Sequence, residues 1–228
     1  AKAWRSQTNQ DSFFFDVEGP LGILMVSDGI STSTAGSGDI ASNITSRVTH
    51  HFWADQKEEL KEAGDEEIQD FLIQILAHAN FAICENAKEH AKEDISAEIP
   101  MGATVLLAII KGDTMWLANL GDSRGYILTE DGAALITGDQ NLRGEKLRLQ
   151  IPMEPHDNYA ALIRYLGHFD SDFKAALPVP DICQVKLLPN EAVLLCSDGL
   201  TDYAASSHYA LGELLMKAHR DNDISSAC

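Results

Sequence analysis

The tripeptide Ser-Asp-Gly occurs twice in the sequence, each time at the end of a short apolar run. Residues 21–26 lead into Asp28, and residues 192–196 lead into Asp198. Apolar runs of this length that stop at turn residues predict buried strands. An ionised aspartate at the end of a buried strand is costly unless a cation compensates its charge, and divalent metal ions suit carboxylate oxygens. We therefore predict that the two strand ends meet at one metal site.

A third apolar run, residues 114–120, ends in the similar sequence Gly121-Asp122-Ser123-Arg124. A single Asp-Gly pair after a strand is usually only a turn. Aspartates at three predicted strand ends favour a shared site instead. The glycine beside each aspartate lets the backbone come close to a ligand, so that a carbonyl oxygen can join the coordinating groups.

The charge of the chain excludes several classes of partner. Its 228 residues include 17 Lys and Arg against 35 Asp and Glu, a net charge of −18. Nucleic acids and acidic membranes need a basic surface, and no apolar run approaches the roughly 20 residues of a membrane span. The four cysteines show no zinc-binding spacing, so a reduced, cytoplasmic location is the simplest expectation. We expect one domain over residues 1–228 and no nucleic-acid or membrane partner.

The apolar pattern of the first half predicts a hairpin followed by two long helices. Residues 12–17 and 21–27 form the strands of the hairpin. Apolar residues at every fourth position predict a first helix over residues 39–53, and a second apolar stripe predicts another helix that includes residues 68–83. The charged residues 57–67 between them indicate a connection or a frayed helix end.

Short β-type runs dominate the second half and predict two antiparallel units. The first is a meander of four strands, and the second is a hairpin of the runs at residues 185–188 and 192–196. Residues 158–166 and 209–218 are predicted to be helical, and the polar stretch at residues 138–155 to be irregular. Strands, helices, strands and a final helix in this order favour an α+β fold over a parallel sheet.

Seven short segments, taken in order, resemble the motifs of one family: NQDS at residues 9–12, VSDG at 26–29, GAT at 102–104, NLGDSR at 119–124, TGDQN at 137–141, RYLG at 164–167 and LLCSDGLTD at 194–202. The chain is similar, over nearly its whole length, to the metal-dependent protein serine/threonine phosphatases (PPM, type 2C). The glutamine in NQDS is typical of the bacterial branch. The resemblance implies a central sandwich of two antiparallel β-sheets flanked by helices on both sides (α-β-β-α), with metal ions in a cleft at one end.

The resemblance also implies that four residues hold two ions, Mn²⁺ or Mg²⁺. Asp28 would bridge the ions, the Gly29 carbonyl and Asp198 would each bind a metal directly, and Asp11 would act through bound water. Asp28 and Asp198 are thus the implied catalytic residues. Two such ions lower the pKa of a bridging water, and the resulting hydroxide attacks the phosphorus in line, without a covalent phosphoenzyme.

Further residues are implied around this pair of ions. Asp122, together with Asp198 and Asp202, resembles the weaker third-metal site of the family. Arg5 is the candidate clamp for the substrate phosphate, because a guanidinium can bind phosphate through two hydrogen bonds. Residues 30–34 replace the usual glycine-rich continuation and contain no histidine, so solvent or a metal-bound water would protonate the leaving group.

The end of the sequence departs from the family pattern. Residues 222–225 resemble the terminal motif but follow Asp198 too soon, so we expect residues 221–223 to cap a further helix and the chain to stop before the final metal-ligand motif.

The implied function is hydrolysis of phosphoserine and phosphothreonine in protein substrates, and a cognate Ser/Thr kinase is a further candidate partner. Two alternatives stay open. One is a pseudophosphatase that serves as a binding or sensing module, and the other is a hydrolase of small phosphate esters.

Overall fold

The structure is a computed structural model, which describes residues 8–203 except residues 93 and 130, together with residues 212, 213 and 217. The strands in its described part are β1 (Asp11–Glu18), β2 (Leu21–Asp28), β3 (Val105–Lys111), β4 (Thr114–Leu120), β5 (Arg124–Thr129), β6 (Gly132–Leu135), β7 (Asp181–Lys186) and β8 (Ala192–Cys196). The α-helices there are α1 (Gly38–Leu60), α2 (Asp65–His90), α3 (Leu142–Arg148) and α4 (Asp198–Tyr203). No helix within these residues is long and apolar enough to cross a lipid bilayer.

Two antiparallel sheets form the centre of the molecule. Five strands form the first sheet in the order β1-β2-β3-β4-β7, and three form the second in the order β6-β5-β8. An apolar layer lies between the sheets: β3 and β4 contribute Leu106 and Leu117 to it, and β8 contributes Val193 and Leu195. The predicted sandwich of two antiparallel sheets is therefore confirmed.

Helices α1 and α2 cover the outer face of the first sheet. Ile23 and Leu107 of the sheet belong to one buried cluster with Trp53 of α1 and with Ile68 and Leu72 of α2. Each fully buried Leu or Ile side chain contributes roughly 1.5 to 3 kcal/mol relative to an exposed one. This face is the main hydrophobic core.

Helix α1 is longer than its apolar pattern predicts, because charged residues form its last two turns. Lys57 and Lys61 each place Nζ at 2.6 Å from a carboxylate oxygen of Glu18, at the end of β1. Hydrogen bonds from the two lysines lower the pKa of Glu18 to about 2. Leu60 is buried between these charges and the core. The charged stretch is therefore partly a solvated helix face and not only a connection.

A helix also lies on the outer face of the second sheet. Helix α4 follows β8 directly, and its Leu200 packs against a small buried cluster of Tyr126, Leu128 and Cys196. The prediction of helices on both sides of the sandwich is confirmed by α1 and α2 on one side and α4 on the other.

Two predicted strand pairings are wrong. The four-stranded meander is divided, because β4 lies in the first sheet and β5 lies in the second. The predicted last hairpin is divided in the same way, since β7 pairs with β4 and β8 pairs with β5. Gly121, between β4 and β5, has a φ of +110° and lies against Thr104, so the chain can turn sharply out of the first sheet there.

The helical predictions for the second half also need correction. Residues 158–166 contain no helix; Leu166 instead forms an isolated β-bridge to Ala103. Helix α3 lies in the stretch predicted to be irregular, and Asn141 caps it by accepting a hydrogen bond from the Gly144 N–H at 2.9 Å. The predicted helix at residues 209–218 lies outside the described residues, apart from the three isolated positions.

Candidate active site

Three carboxylates meet at one end of the sandwich, where β1 begins and β2 and β8 end. Asp11 lies opposite Asp28 in the antiparallel register of β1 and β2. Directly after β8, the Ser197 hydroxyl donates a hydrogen bond to Asp11 Oδ2 at 3.0 Å. Asp28 lies near enough to Asp11 and Asp198 that the negative charges of both act on its carboxyl. The structure therefore brings together the two Ser-Asp-Gly segments.

The crowding of these groups changes the titration of the central one. Burial is the main cause that raises the pKa of Asp28, and the negative charges of Asp11 and Asp198 raise it further, to about 8. Adjacent carboxylates of this kind cannot all stay ionised unless a cation neutralises part of their charge. The end of the sandwich therefore favours either a proton or a metal ion.

The donor atoms at this point suit a divalent ion such as Mg²⁺ or Mn²⁺. The side-chain donors are carboxylates, and no donor in the described part of the chain is paired with the Gly29 carbonyl oxygen. Hard divalent ions prefer such oxygens. As the side chains stand, the residues that the structure describes contain no group of three or more His, Cys, Asp or Glu arranged to hold an ion. The chemistry of the donors thus fits a metal, and the carboxylates would turn toward it on binding.

Thr104, at the start of β3, holds the end of β2 in place. Its Oγ1 accepts a hydrogen bond from the Asp28 N–H at 3.0 Å, and its own N–H donates to the Asp28 carbonyl at 2.8 Å. The buried Ser27 hydroxyl donates to the Thr104 carbonyl at 2.7 Å, and Oγ1 also lies 2.7 Å from the Ser123 hydroxyl. The GAT segment favours close strand packing at this point, and its threonine is the sequence signal for these hydrogen bonds.

Gly29 is required by close packing against the first residue of α1. A Cβ atom at position 29 would lie 2.2 Å from the carbonyl carbon and oxygen of Gly38. The Gly29 N–H donates to the Gln10 carbonyl at 3.0 Å, which extends the pairing of β1 and β2 beyond the strands. The backbone at Gly29 is therefore held from two sides.

Asp122 lies at the turn between β4 and β5, beside the three carboxylates. Asn141 Nδ2 donates to Asp122 Oδ2 at 3.0 Å while its Oδ1 caps α3. Burial raises the pKa of Asp122, the hydrogen bond from Asn141 lowers it, and the charge of Asp198 raises it again. Asn141 belongs to the TGDQN segment, but the sequence analysis assigned it no function.

Asp28, Asp122 and Asp198 line one open cleft of about 560 Å³. This volume lies within the range of roughly 300 to 1,000 Å³ that is common for ligand sites. Residues 30–32 form part of the rim, and residues in the segment 158–165 form another part. The cleft is thus accessible to a substrate that reaches the carboxylates from outside.

For the other site residues predicted from the sequence, Asp202 and Arg5, the structure gives less information. Asp202 lies in α4, four residues after Asp198, and Arg5 lies outside the described residues. Arg124, in the NLGDSR segment, holds Asp139 through two hydrogen bonds, from Nε at 2.9 Å and from Nη2 at 2.6 Å. That pair makes Arg124 a structural residue of the second sheet.

The sequence is similar to those of known protein phosphatases. A family model described as Protein phosphatase 2C matches residues 2–225 of the chain. A related protein, the serine/threonine phosphatase stp of Listeria innocua serovar 6a, is 33% identical over 184 residues, which are 79% of this chain and 67% of the relative.

Solved structures have a similar fold. The serine/threonine phosphatase of S. agalactiae superposes with a TM-score of 0.73 at 22% identity, over 98% of this chain and 88% of that chain. The catalytic domain of the phosphatase PstP, in complex with two manganese ions, superposes with a TM-score of 0.69 at 24% identity, over 94% of this chain and 84% of that chain. At these identities the likeness shows the fold.

Proposed function

Because the chain belongs to the protein phosphatase 2C family, we propose that it hydrolyses the phosphate esters of phosphoserine and phosphothreonine in proteins. The observation that carries this proposal is that Asp28 and Asp198 line one open cleft, with Asp11 beside Asp28. The related serine/threonine phosphatase supports the class of substrate. A cognate Ser/Thr kinase, which would produce the phosphoprotein, and a cytoplasmic location belong to the same proposal.

In this proposal, Asp28, the Gly29 carbonyl and Asp198 would hold two divalent ions, with Asp11 acting through water. The manganese-bound PstP structure supports Mn²⁺ as one candidate, and the oxygen donors suit Mg²⁺ equally well. When bound, two such ions lower the pKa of a water molecule that they share and neutralise charge on the phosphoryl oxygens.

The chain itself supplies a fixed backbone at Asp28 and an open cleft through which a substrate can reach it. Thr104 and the close packing at Gly29 hold the backbone of Asp28, so the position from which its carboxylate reaches a metal is fixed before the substrate arrives. The negative side chains around it exclude a phosphate from the cleft until cations are present, because like charges repel. Activity should therefore depend strictly on added metal.

Three further roles complete the proposal. Asp122, oriented by Asn141, would hold a third and weaker ion together with Asp198 and Asp202. Arg5 would bind the substrate phosphate through its guanidinium. Solvent would protonate the leaving alcohol, since residues 30–34 contain no histidine.

The test is turnover of three substrates by the full chain with added Mn²⁺: p-nitrophenyl phosphate, a phosphothreonine peptide and a sugar phosphate. We expect turnover of the first two that requires the metal and is lost in Asp28→Asn. Asp70→Asn, which changes an exposed aspartate on α2, is the matched control and should keep full activity.

Two outcomes would replace the proposal. No turnover of any substrate at any Mn²⁺ concentration would favour a pseudophosphatase with a binding or sensing role. Faster turnover of the sugar phosphate than of the peptide would favour a hydrolase of small phosphate esters.

A further inference from the structure

A second cleft lies beside the candidate active site and has no role in the chemistry described above. Its volume is about 260 Å³, and its apolar lining includes Leu120, Ile163, Tyr165, Leu177, Pro178 and Val179. This volume is below the roughly 300 to 1,000 Å³ of typical small-molecule sites. The cleft therefore suits one or two side chains of a polypeptide better than a whole small ligand.

The walls of the second cleft are anchored to the core. Asn80, buried on α2, accepts hydrogen bonds through Oδ1 from the N–H groups of Gly167 at 2.7 Å and His168 at 3.1 Å. Its Nδ2 donates to the Ala176 carbonyl at 2.7 Å. One side chain thus fixes both chain segments that border the cleft, so the cavity exists before a ligand arrives.

The second cleft adjoins the candidate active site. Tyr165 lines both clefts, and Leu162, three residues before it, lines the one that contains Asp28. On the sheet, Leu120 of the second cleft is two residues from Asp122 of the first. A polypeptide with its phosphorylated residue at the carboxylates therefore passes beside the second cleft within a few residues.

Three apolar residues at the rim of the second cleft are exposed. Leu177 is 83% exposed, Val179 is 71% exposed and Ile163 is 45% exposed. Single exposed apolar residues are common, but a group of them around a preformed cavity is typical of an interaction site. Arg164 also lines this cleft, but its Nη1 lies 2.7 Å from Asp181 Oδ1, so its charge is partly neutralised.

We propose that the second cleft binds a large apolar side chain of the phosphoprotein substrate, a few residues away from the phosphorylated serine or threonine. This inference rests on the proposed function, because the position of the second cleft next to the catalytic cleft, with Tyr165 lining both, identifies the occupant. It adds a preference for local sequence to a reaction whose chemistry requires only the phosphate ester.

A scan of phosphothreonine peptides tests the inference. Each peptide carries one leucine, at one of five positions on either side of the phosphothreonine, in a host of alanine, glycine and serine with constant charge. We expect leucine at one position, or at two neighbouring positions, to raise kcat/KM about five- to tenfold, the lower range for an apolar group in a pocket. A flat scan would overturn the inference.

Variants locate the effect. Leu177→Asp and Val179→Asp place a carboxylate at the exposed rim, so folding is not at stake, and each should remove the preference for leucine while turnover of p-nitrophenyl phosphate stays unchanged. Leu188→Asp is the matched control, because Leu188 is 62% exposed and is not part of the cleft lining. A preference that survives in both rim variants would contradict the proposal.

A separate measurement distinguishes failure of the inference from failure of the proposed function. Fluorescence anisotropy measures the binding of the labelled peptides separately from their turnover. It reports whether leucine strengthens binding and whether Leu177→Asp removes that gain. Absence of p-nitrophenyl phosphate turnover would count against the phosphatase activity alone, whereas equal binding of all peptides would count against the second cleft.

Discussion

The two Ser-Asp-Gly segments have the same sequence but different surroundings. At the end of β2, Ser27 is fully buried, and a Cβ atom on Gly29 would lie 2.2 Å from Gly38. At the end of β8, Asp198 is exposed at the start of α4, and among the described residues a Cβ atom on Gly199 would meet the Ser197 hydroxyl, at 3.6 Å.

This difference separates two functions that one motif can serve. The first segment is part of the core, and hydrogen bonds from Thr104 hold the backbone of its aspartate. In the second segment Asp198 and Gly199 are exposed, and less buried segments adjust at lower cost. We infer that Asp28 determines where a metal ion binds and that Asp198 closes the site from the more adaptable side.

The largest expected effect concerns metal-dependent activity in the two aspartate variants. Asp28→Asn should lower kcat/KM by about 10³-fold or more at every Mn²⁺ concentration, because the central carboxylate neutralises and positions the ions. Asp198→Asn should raise the Mn²⁺ concentration for half-maximal activity at least about tenfold and recover part of the activity at high metal. Turnover of p-nitrophenyl phosphate across an Mn²⁺ series measures both. Identical profiles for the two variants would show that both aspartates are held equally.

The next effect concerns stability and uses the two glycines. Gly29→Ala should lower the free energy of unfolding by about 1 to 3 kcal/mol or more, since its methyl group would collide with the backbone of α1. Gly199→Ala, in the first turn of α4, should raise the free energy of unfolding by up to about 1 kcal/mol, because alanine loses less conformational entropy in a helix. Urea unfolding of the two variants gives both values. Equal destabilisation by the two changes would contradict the comparison.

A smaller effect is the pH dependence of the metal-free protein. The pKa of Asp28 is about 8 in the folded protein against an ordinary value of 3.8, so the folded state binds more protons than the unfolded state between these values. The contribution of this group to stability is complete below about pH 3.8 and is lost as the pH rises toward 8. Because Asp28 is only partly buried, solvent screens much of this effect, and relative to Asp28→Asn the melting temperature of the unmodified protein in EDTA should fall by about 2 to 6 °C over this window.

Melting temperatures of both proteins over a pH series check this prediction. In Asp198→Asn the loss should be smaller and should end at a lower pH, because one of the charges that raise the pKa of Asp28 is absent. Parallel curves for the unmodified protein and Asp28→Asn would show that Asp28 does not titrate in this range.

The smallest effect compares the two serines. Ser27→Ala removes the hydrogen bond to the buried Thr104 carbonyl and should lower the free energy of unfolding by about 1 to 2 kcal/mol. Ser197→Ala removes a partly exposed hydrogen bond to Asp11 and should change it by less than about 0.5 kcal/mol. Urea unfolding with both variants in the same buffer decides the order. A larger loss in Ser197→Ala would mean that the end of β8 carries more of the stability than its burial indicates.

The sequence predicted the ends of β2, β4 and β8 well, because each apolar run stops at turn residues. It also predicted helices α1 and α2, since their apolar residues recur with the helical period. It failed for the pairing of β7 and β8, which are neighbours in sequence but lie in different sheets. It missed Thr104 and Asn141 as well, because a single hydroxyl or amide has no periodic signal and acts through a partner far away in the chain.

The local sequence pattern thus predicted the strands, the long helices and the aspartates at the strand ends. Apolar periodicity and turn residues carry this information because they act between near neighbours in the chain. The tertiary structure alone decided which Ser-Asp-Gly segment is buried, how the strands divide between the sheets and where the second cleft forms. These features depend on packing between distant segments, such as Gly29 against Gly38 and Asn80 against Gly167, and the free energy of that packing is absent from any short stretch of sequence.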